Sequence, residues 1–572
     1  MSDEGLYNLE EAWRLAMQRE QDALDFYTKM ARGASDAVVK ALFTELADQE
    51  AEHKARLVRE YRRVFKTEGE DGEAEAAHRH PPGDGEGPVA WMEWSEDAFR
   101  LAEELDLPVL LDISAVWCHW CHVMDEHTYS DPEVASLINA EFIPIRVDND
   151  RRPDINARYN MGGWPTTSIL APSGEVLTGR TYVPPEDMMR FLQQVSQYYR
   201  ENRGQLEQRL ERTEDVRREY SSRAQAAGPV SLDIVDEVGR ALLENFDRVH
   251  GGFGDAPKFP HPDALELALA VYHRTGDRQM RRLVELTLTS MAAGGVFDHE
   301  MGGFFRYATT RDWMVPHFEK MAEDNARLLR VYLHAYQVFG YEVYRQTAAR
   351  ILEYVNSTLY NHTMGYFYGS QDADEDYYNL SREEREKREV PFVDKTLYVN
   401  WNAMMAMAYF EAAVVLGEPE YARQAERVLD TVWDSAYAKD MGMFHYVDRL
   451  PHVPGLLTDQ IWMARALLTG YQYAGRADFL QQTMVLMDES VYVHYVDPNG
   501  LGYFDCVVDP GAPGRLKDGI KNIDENALVA EVSTILYRLT GQERYRDAIN
   551  SALGAFGAGY RGYRYFASAY AL

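Results

Sequence analysis

Cysteine is nearly missing from these 572 residues: only Cys118, Cys121 and Cys506 occur. Three thiols cannot build a disulfide framework, so packed cores must hold the fold, and a reducing compartment is expected. Long apolar runs are missing as well. With no stretch of about 18 apolar residues and no charged-then-apolar start, neither a membrane span nor a secretion leader is predicted, and the cytoplasm is the expected address. Basic residues are outnumbered, leaving a formal net charge of −33. That charge repels phosphate backbones and anionic lipid heads, which excludes nucleic acid and membrane surfaces as expected partners. Core material is plentiful: 46% of residues are hydrophobic and 12% aromatic, enough for three or four domains at this length.

The sharpest chemistry lies in Ala115-Val-Trp-Cys-His-Trp-Cys-His-Val-Met124. The apolar run Val109–Ile113 just before it predicts a strand feeding a Cys-x-x-Cys turn. An amphipathic helix (Ser95 to Leu105) precedes this strand; a strand (Phe142 to Val147) and Gly162-Gly-Trp-Pro-Thr-Thr-Ser-Ile-Leu170 follow. Strands alternating with helices argue an α/β layer fold. A thiolate at a helix amino terminus is stabilised by unpaired N–H groups and the helix dipole, and His119 adds positive charge when protonated. Cys118 is then the nucleophile and Cys121, one turn inward, the resolving thiol. A metal clip of Cys118, His119, Cys121 and His122, or a fold relic without turnover, are the competing readings. Cys506 reads as a small buried apolar residue. The stretch resembles thioredoxins: Asp112, six residues before Cys118, stands where thioredoxins keep a buried acid, and Pro165 matches their cis-proline. The resemblance implies that Asp112 assists proton transfer at Cys121, that Pro165 holds the substrate segment, and that Cys118 is reachable.

Near the amino terminus, Ala12, Ala16, Ala23, Tyr27 and Met30 form a helical stripe with Glu20 in an apolar slot; Val39, Leu42, Leu46, Leu57 and Tyr61 form a second that contains Glu50 and His53. Buried carboxylates require a partner, and a metal ion would serve all three. The pattern resembles half of a rubrerythrin or ferritin-like di-iron bundle. That implies a homodimer pooling two copies each of Glu20, Glu50 and His53 around iron. The other reading places Glu50 and His53 at the edge of an amphipathic hairpin. The four-cysteine iron site usual in rubrerythrins is missing from this chain.

Residues 67–88, rich in Gly, Glu and Pro, read as a linker, and 205–228 as a charged helical connector. From Ser231 the chain alternates helical patterns with glycine–aromatic strings: Gly251-Gly-Phe, Gly302-Gly-Phe-Phe, Gly365-Tyr-Phe, Gly442-Met-Phe, Gly502-Tyr-Phe and Gly562-Tyr. Six returns predict six helix hairpins, an (α/α)6 toroid. The strings suit sugar stacking or packing between hairpins. Ala256-Pro-Lys-Phe-Pro260, Gly294-Gly-Val-Phe-Asp-His299, Val315-Pro-His-Phe-Glu-Lys-Met321 and Asp372-Ala-Asp374, together with the Trp-Cys-x-Trp-Cys-His string, resemble the spermatogenesis-associated family, which joins a thioredoxin-like domain to a six-hairpin domain. Asn400-Trp-Asn-Ala403 departs from that family's Ser-Trp-Asn-Gly.

The expected fold is therefore multidomain: an all-α ferritin-like hairpin (1–66), a linker (67–88), an α/β thioredoxin-like domain (89–204), a connector (205–228) and an all-α six-hairpin glycosidase-like toroid (229–572). The expected function is thiol–disulfide exchange, coupled to di-iron chemistry, on a protein disulfide or a small molecule. The alternatives are a carbohydrate hydrolase or epimerase, or a non-enzymatic protein holding a sugar-like or peptide ligand. Barrel-mouth candidates for the former are Asp298, His299, His317, Glu319, Asp324, Asp372, Asp374, Trp401 and Asp459, carboxylates and imidazoles being what proton transfer at a glycosidic bond or sugar carbon requires.

Overall fold

The computed structural model describes residues 88–206, 209, 212 and 227–572. Glu20, Glu50 and His53, the linker and most of the charged connector lie outside the described residues. The chain divides into two compact units, Met1–His78 and Arg79–Leu572. All described residues belong to the second. No described helix is long and apolar enough to cross a membrane.

In the thioredoxin-like part, α1 (Glu96–Leu105) starts where Ser95 caps the Ala98 N–H, with Glu96 and Asp97 favourably placed in its first turn. Then come β1 (Val109–Ser114), α2 (His119–Met124), α3 (Pro132–Glu141), β2 (Ile143–Asp148), α4 (Pro153–Tyr159), β3 (Thr166–Leu170), β4 (Val176–Arg180) and α5 (Pro185–Glu201). The sheet order is β2-β1-β3-β4, with β1 parallel to β2 and antiparallel to β3. Strand β1 is therefore interior and packed on both faces, which is why Val109–Ile113 is a continuous apolar run.

The remaining helices form hairpins. Six inner helices touch in a closed ring: α7 (Pro262–Thr275), α9 (Ala322–Phe339), α11 (Val399–Leu416), α13 (Leu457–Ala474), α15 (Ile523–Thr540) and the four-residue α17 (Ser568–Ala571), which packs back on α7. Outside them lie α6 (Asp233–Asn245), α8 (Arg278–Ala293), α10 (Glu342–Tyr354), α12 (Pro419–Ala436), α14 (Ala477–Val485) and α16 (Glu543–Gly554). Every residue from Val399 to Ala413 of α11 is buried, whereas α12 buries Ala425, Val428, Leu429, Val432 and Ala436 on one stripe. A helix apolar all round sits inside, and an amphipathic one covers it. Five inner helices end on a left-handed glycine, Gly276, Gly340, Gly417, Gly475 and Gly541, that turns the chain into the outer partner.

The glycine–aromatic strings pack between hairpins. The Asn325 carboxamide takes the Phe304 N–H at 2.8 Å and donates to the Phe304 carbonyl at 3.0 Å. Asn402 clamps Phe367, Gln460 clamps Met443 and Asn526 clamps Tyr503 in the same way. Each clamp is the fourth residue of an inner helix, so one helical turn fixes the returning loop and satisfies two buried backbone groups.

Candidate functional site

Cys118 caps α2, and the Cys121 N–H points at its Sγ at 3.2 Å. The two sulfurs are bonded, with Cα atoms 5.2 Å apart. Pro165, in the cis peptide Trp164–Pro165, directly precedes β3, the neighbour of β1. His119 and Trp120 turn outward, Trp120 being 48% exposed. The cysteines themselves are 4% and 2% exposed and pack into the core of the toroid, so the reachable thiol expected from the sequence is covered.

Asp112 uses its oxygens elsewhere. Tyr129 donates to one at 3.2 Å and Arg146 to the other at 2.7 Å. Burial raises this carboxyl to about 6, with Arg146 opposing the shift. Among the described residues no hydrogen bond joins Asp112 to either sulfur. Closer in sequence to Cys121, His122 places Nδ1 3.9 Å from a carboxylate oxygen of Asp372, a buried residue of the toroid.

The thioredoxin-like part packs against the toroid through His445, Asp505 and Arg515. Trp117, next to Cys118, donates to the Asp150 carboxyl at 2.5 Å. The Asp150 carbonyl meets His445 Nε2 at 2.7 Å, and His445 Nδ1 meets Asp459, in the first turn of α13, at 2.9 Å. Burial disfavours protonation of His445, but Asp459 and the carbonyl outweigh it and raise its pKa. Arg158 forks onto Asp505 at 2.7 and 3.0 Å, and Arg515 reaches Glu175 at 3.0 Å. At Gly174, φ is +81° and a Cβ would fall 2.2 Å from Gly514 Cα, so only glycine allows this approach.

The barrel-mouth candidates separate by partner. Asp298 is an anchor: Lys320 at 2.6 Å and Arg385 at 2.7 Å hold it, and although burial pushes upward, these cations keep its pKa below the usual carboxylate range. His299 bonds to the Gly294 carbonyl, and Asp374 caps the short helix Glu375–Tyr378. Trp401 packs on Tyr398 inside α11. Asp372 and Asp459 face the thioredoxin-like part. His317 and Glu319 pair, and Asp324 lies within electrostatic reach of Glu319. His317 Nδ1 lies 2.8 Å from Glu319, off the line of a strong hydrogen bond, and its ring stacks on Tyr307, which stacks on Phe259. Burial opposes protonation of His317, yet Glu319 raises its pKa.

Asp324, in the first turn of α9, is raised by burial to about 7, with Glu323 and Glu319 pushing the same way and Arg306 and Arg327 opposing. Between 3.8 and about 7 the native carboxyl keeps a proton that the unfolded chain has released, so its contribution to stability falls as pH rises. Asp324→Asn is therefore expected to raise Tm relative to wild type progressively from about pH 4 to 7. A pH-independent difference in melting curves would contradict this.

Arg306, Asp150 and His445 escape sequence reasoning. His445 and Asp150 are 295 residues apart, and Arg306 matters only because its guanidinium lies 4.4 Å from the ring centre of Trp117 and 4.8 Å from that of Trp164.

Residues 83–217 match the Thioredox_DsbH family, described as a protein of unknown function, DUF255, and residues 7–82 match rubrerythrin. Spermatogenesis-associated protein 20 of Rattus norvegicus is 35% identical over 309 residues, and that of Homo sapiens 35% over 308; each match covers 50% of this chain and 39% of the relative. The chain thus aligns with well under half the length of these curated relatives. Among solved structures, a D-mannose isomerase (12% identity, TM-score 0.47) covers 59% of this chain and 95% of its own. A cellobiose 2-epimerase from Spirochaeta thermophila DSM 6192 (16%, 0.47) covers 59% and 84%. The chain carries a thioredoxin-like domain of the Thioredox_DsbH (DUF255) type joined to a six-hairpin (α/α)6 toroid, with a rubrerythrin-like segment ahead of both, and over half of its own length it is similar to spermatogenesis-associated protein 20.

Proposed function

We propose that the chain carries out thiol–disulfide exchange at Cys118 and Cys121. The observation that carries this reading is the sulfur of Cys118 placed as the cap of α2, with the Cys121 N–H directed at it. On reduction those N–H groups favour the thiolate over the thiol, which makes Cys118 the attacking sulfur and Cys121 the resolving one. His122, beside Asp372, is the nearest imidazole in sequence to the departing Cys121 and suits transfer of its proton better than the engaged Asp112. Equilibration of the full chain against glutathione buffers, read by thiol alkylation and mass, tests it: a reversible Cys118–Cys121 couple is expected, and a disulfide unchanged across the whole range of poise removes the reading.

For the rubrerythrin-like segment we propose iron held between two copies of the chain by Glu20, Glu50 and His53 from each. Two carboxylates and an imidazole per chain are oxygen and nitrogen donors of the kind iron takes in carboxylate bundles. Bound iron would supply one-electron redox chemistry toward peroxide. Wild type is expected to bind iron as a dimer and Glu50→Ala to lose both, measured by metal analysis and native mass spectrometry; a metal-free monomeric wild type would exclude the site.

A second reading has its own support in the toroid. Asp324, whose pKa burial raises to about 7, lies within electrostatic reach of Glu319, whose partner is His317, so two carboxyl groups and an imidazole gather near the start of α9. We propose carbohydrate hydrolysis or epimerisation as the alternative. Sugar turnover that survives Cys118→Ser but not Asp324→Asn or Glu319→Gln would select it.

A further inference from the structure

The cover over the disulfide comes from the toroid. Cys118 and Cys121, 4% and 2% exposed, share a buried cluster with residues of the inner helices. A polypeptide entering a thioredoxin-like site must lie along the Trp164–Pro165 segment beside the sulfurs. That strip is occupied: the Arg306 guanidinium stands 4.8 Å from the Trp164 ring centre and 4.4 Å from that of Trp117. The backbone that carries Arg306 is fixed in turn, its amide N–H donating to the Glu319 carbonyl at 2.9 Å, and Trp117 is fixed by Asp150. On the other flank Asp372 faces His122. The Arg158–Asp505 fork and the Asp150–His445–Asp459 bonds hold the two parts together, which keeps the Arg306 side chain over the Trp117 and Trp164 rings.

We propose, resting on the thiol-exchange reading, that the exchange partner of Cys118–Cys121 is a low-molecular-weight thiol or disulfide, and that Arg306 is the specificity-determining residue that excludes polypeptide disulfides. In the step, a small thiolate attacks Cys118 Sγ; the new sulfur–sulfur bond forms as the bond to Cys121 breaks, and Cys121 leaves as a thiolate and takes a proton. A second small thiolate attacks the sulfur of the attached group, releasing the small disulfide and the Cys118 thiolate. Two small thiols are oxidised and one protein disulfide is reduced. The reverse sequence reduces a small disulfide.

The test uses the full chain, prereduced and freed of reductant, offered 2-hydroxyethyl disulfide or insulin, with protein thiols counted over time. Wild type is expected to reduce 2-hydroxyethyl disulfide and to act on insulin at least about tenfold more slowly per disulfide. Arg306→Ala should speed insulin reduction about tenfold while leaving the small disulfide within about twofold. Arg306→Lys keeps the charge but loses the planar cover, and should fall between wild type and Arg306→Ala, which guards against misfolding of the alanine variant. Similar wild-type rates on both probes, or no gain with insulin in either folded variant, would overturn the inference while leaving thiol exchange in place. Exchange with neither probe would remove the thiol-exchange reading, and the inference with it.

Discussion

Cys118→Ser is expected to abolish thiol exchange, lowering the rate by at least about 10³-fold, because a serine hydroxyl is neither ionised near neutral pH nor able to form a disulfide. Cys121→Ser should behave differently. With the attacking sulfur present and the resolving one removed, one half of the first small disulfide to react should remain on Cys118 as a mixed disulfide while the other half leaves as a thiolate, the adduct being visible by mass and released by dithiothreitol. The paired outcome assigns the roles: loss in one variant, trapping in the other. Trapping on Cys121 in Cys118→Ser would instead make the inner sulfur the nucleophile, against its place one turn inside α2.

Arg158→Ala should be the most destabilising single change at the interface, by about 3–5 kcal/mol. The Arg158 side chain is 1% exposed and forks onto Asp505, while it also donates to the carbonyls of Asp154, Arg515 and Asp518. Truncation leaves a largely buried carboxylate with only the Ile520 N–H and takes a side-chain donor from each of three carbonyls, losses that are costly where the groups cannot reach water. Arg158→Lys should recover only part of the loss, since an ammonium cannot reproduce the planar fork. Urea denaturation of the full chain measures both variants. A loss below about 1 kcal/mol for Arg158→Ala would mean that solvent enters the contact and that the interface is looser than its geometry implies.

The thioredoxin-like part was legible in the sequence because its signals are local. An apolar run before Cys118, the three-residue cysteine spacing and the Trp164–Pro165 pair each lie within a few residues of what they specify. The toroid was legible through its period, yet the job of the glycine–aromatic strings was open until Asn325, Asn402, Gln460 and Asn526 were seen to grip four of the six. The five glycines that end the inner helices were a second periodic signal, and a sharper one, since each marks the tip of a hairpin directly. The mouth was the least legible. Residue type marks an acid but not its partner, so Asp298 and Asp374 looked like Asp324 in the sequence; Lys320 with Arg385 and the capped turn give the first two structural work. The cover over the disulfide depends on Arg306, and on His445 meeting Asp150, contacts made by the packing of two domains and by no motif.

Between each gripped string residue and its carboxamide the chain runs 21, 35, 17 and 23 residues. Both ends of every excursion are fastened, so its length is free to change without shifting the helices it joins. The longest carries Asp372 and Arg385, the one beside His122 and the other on Asp298. Insertions and deletions accepted there would change what the toroid presents to His122 while the ring of inner helices stays the same.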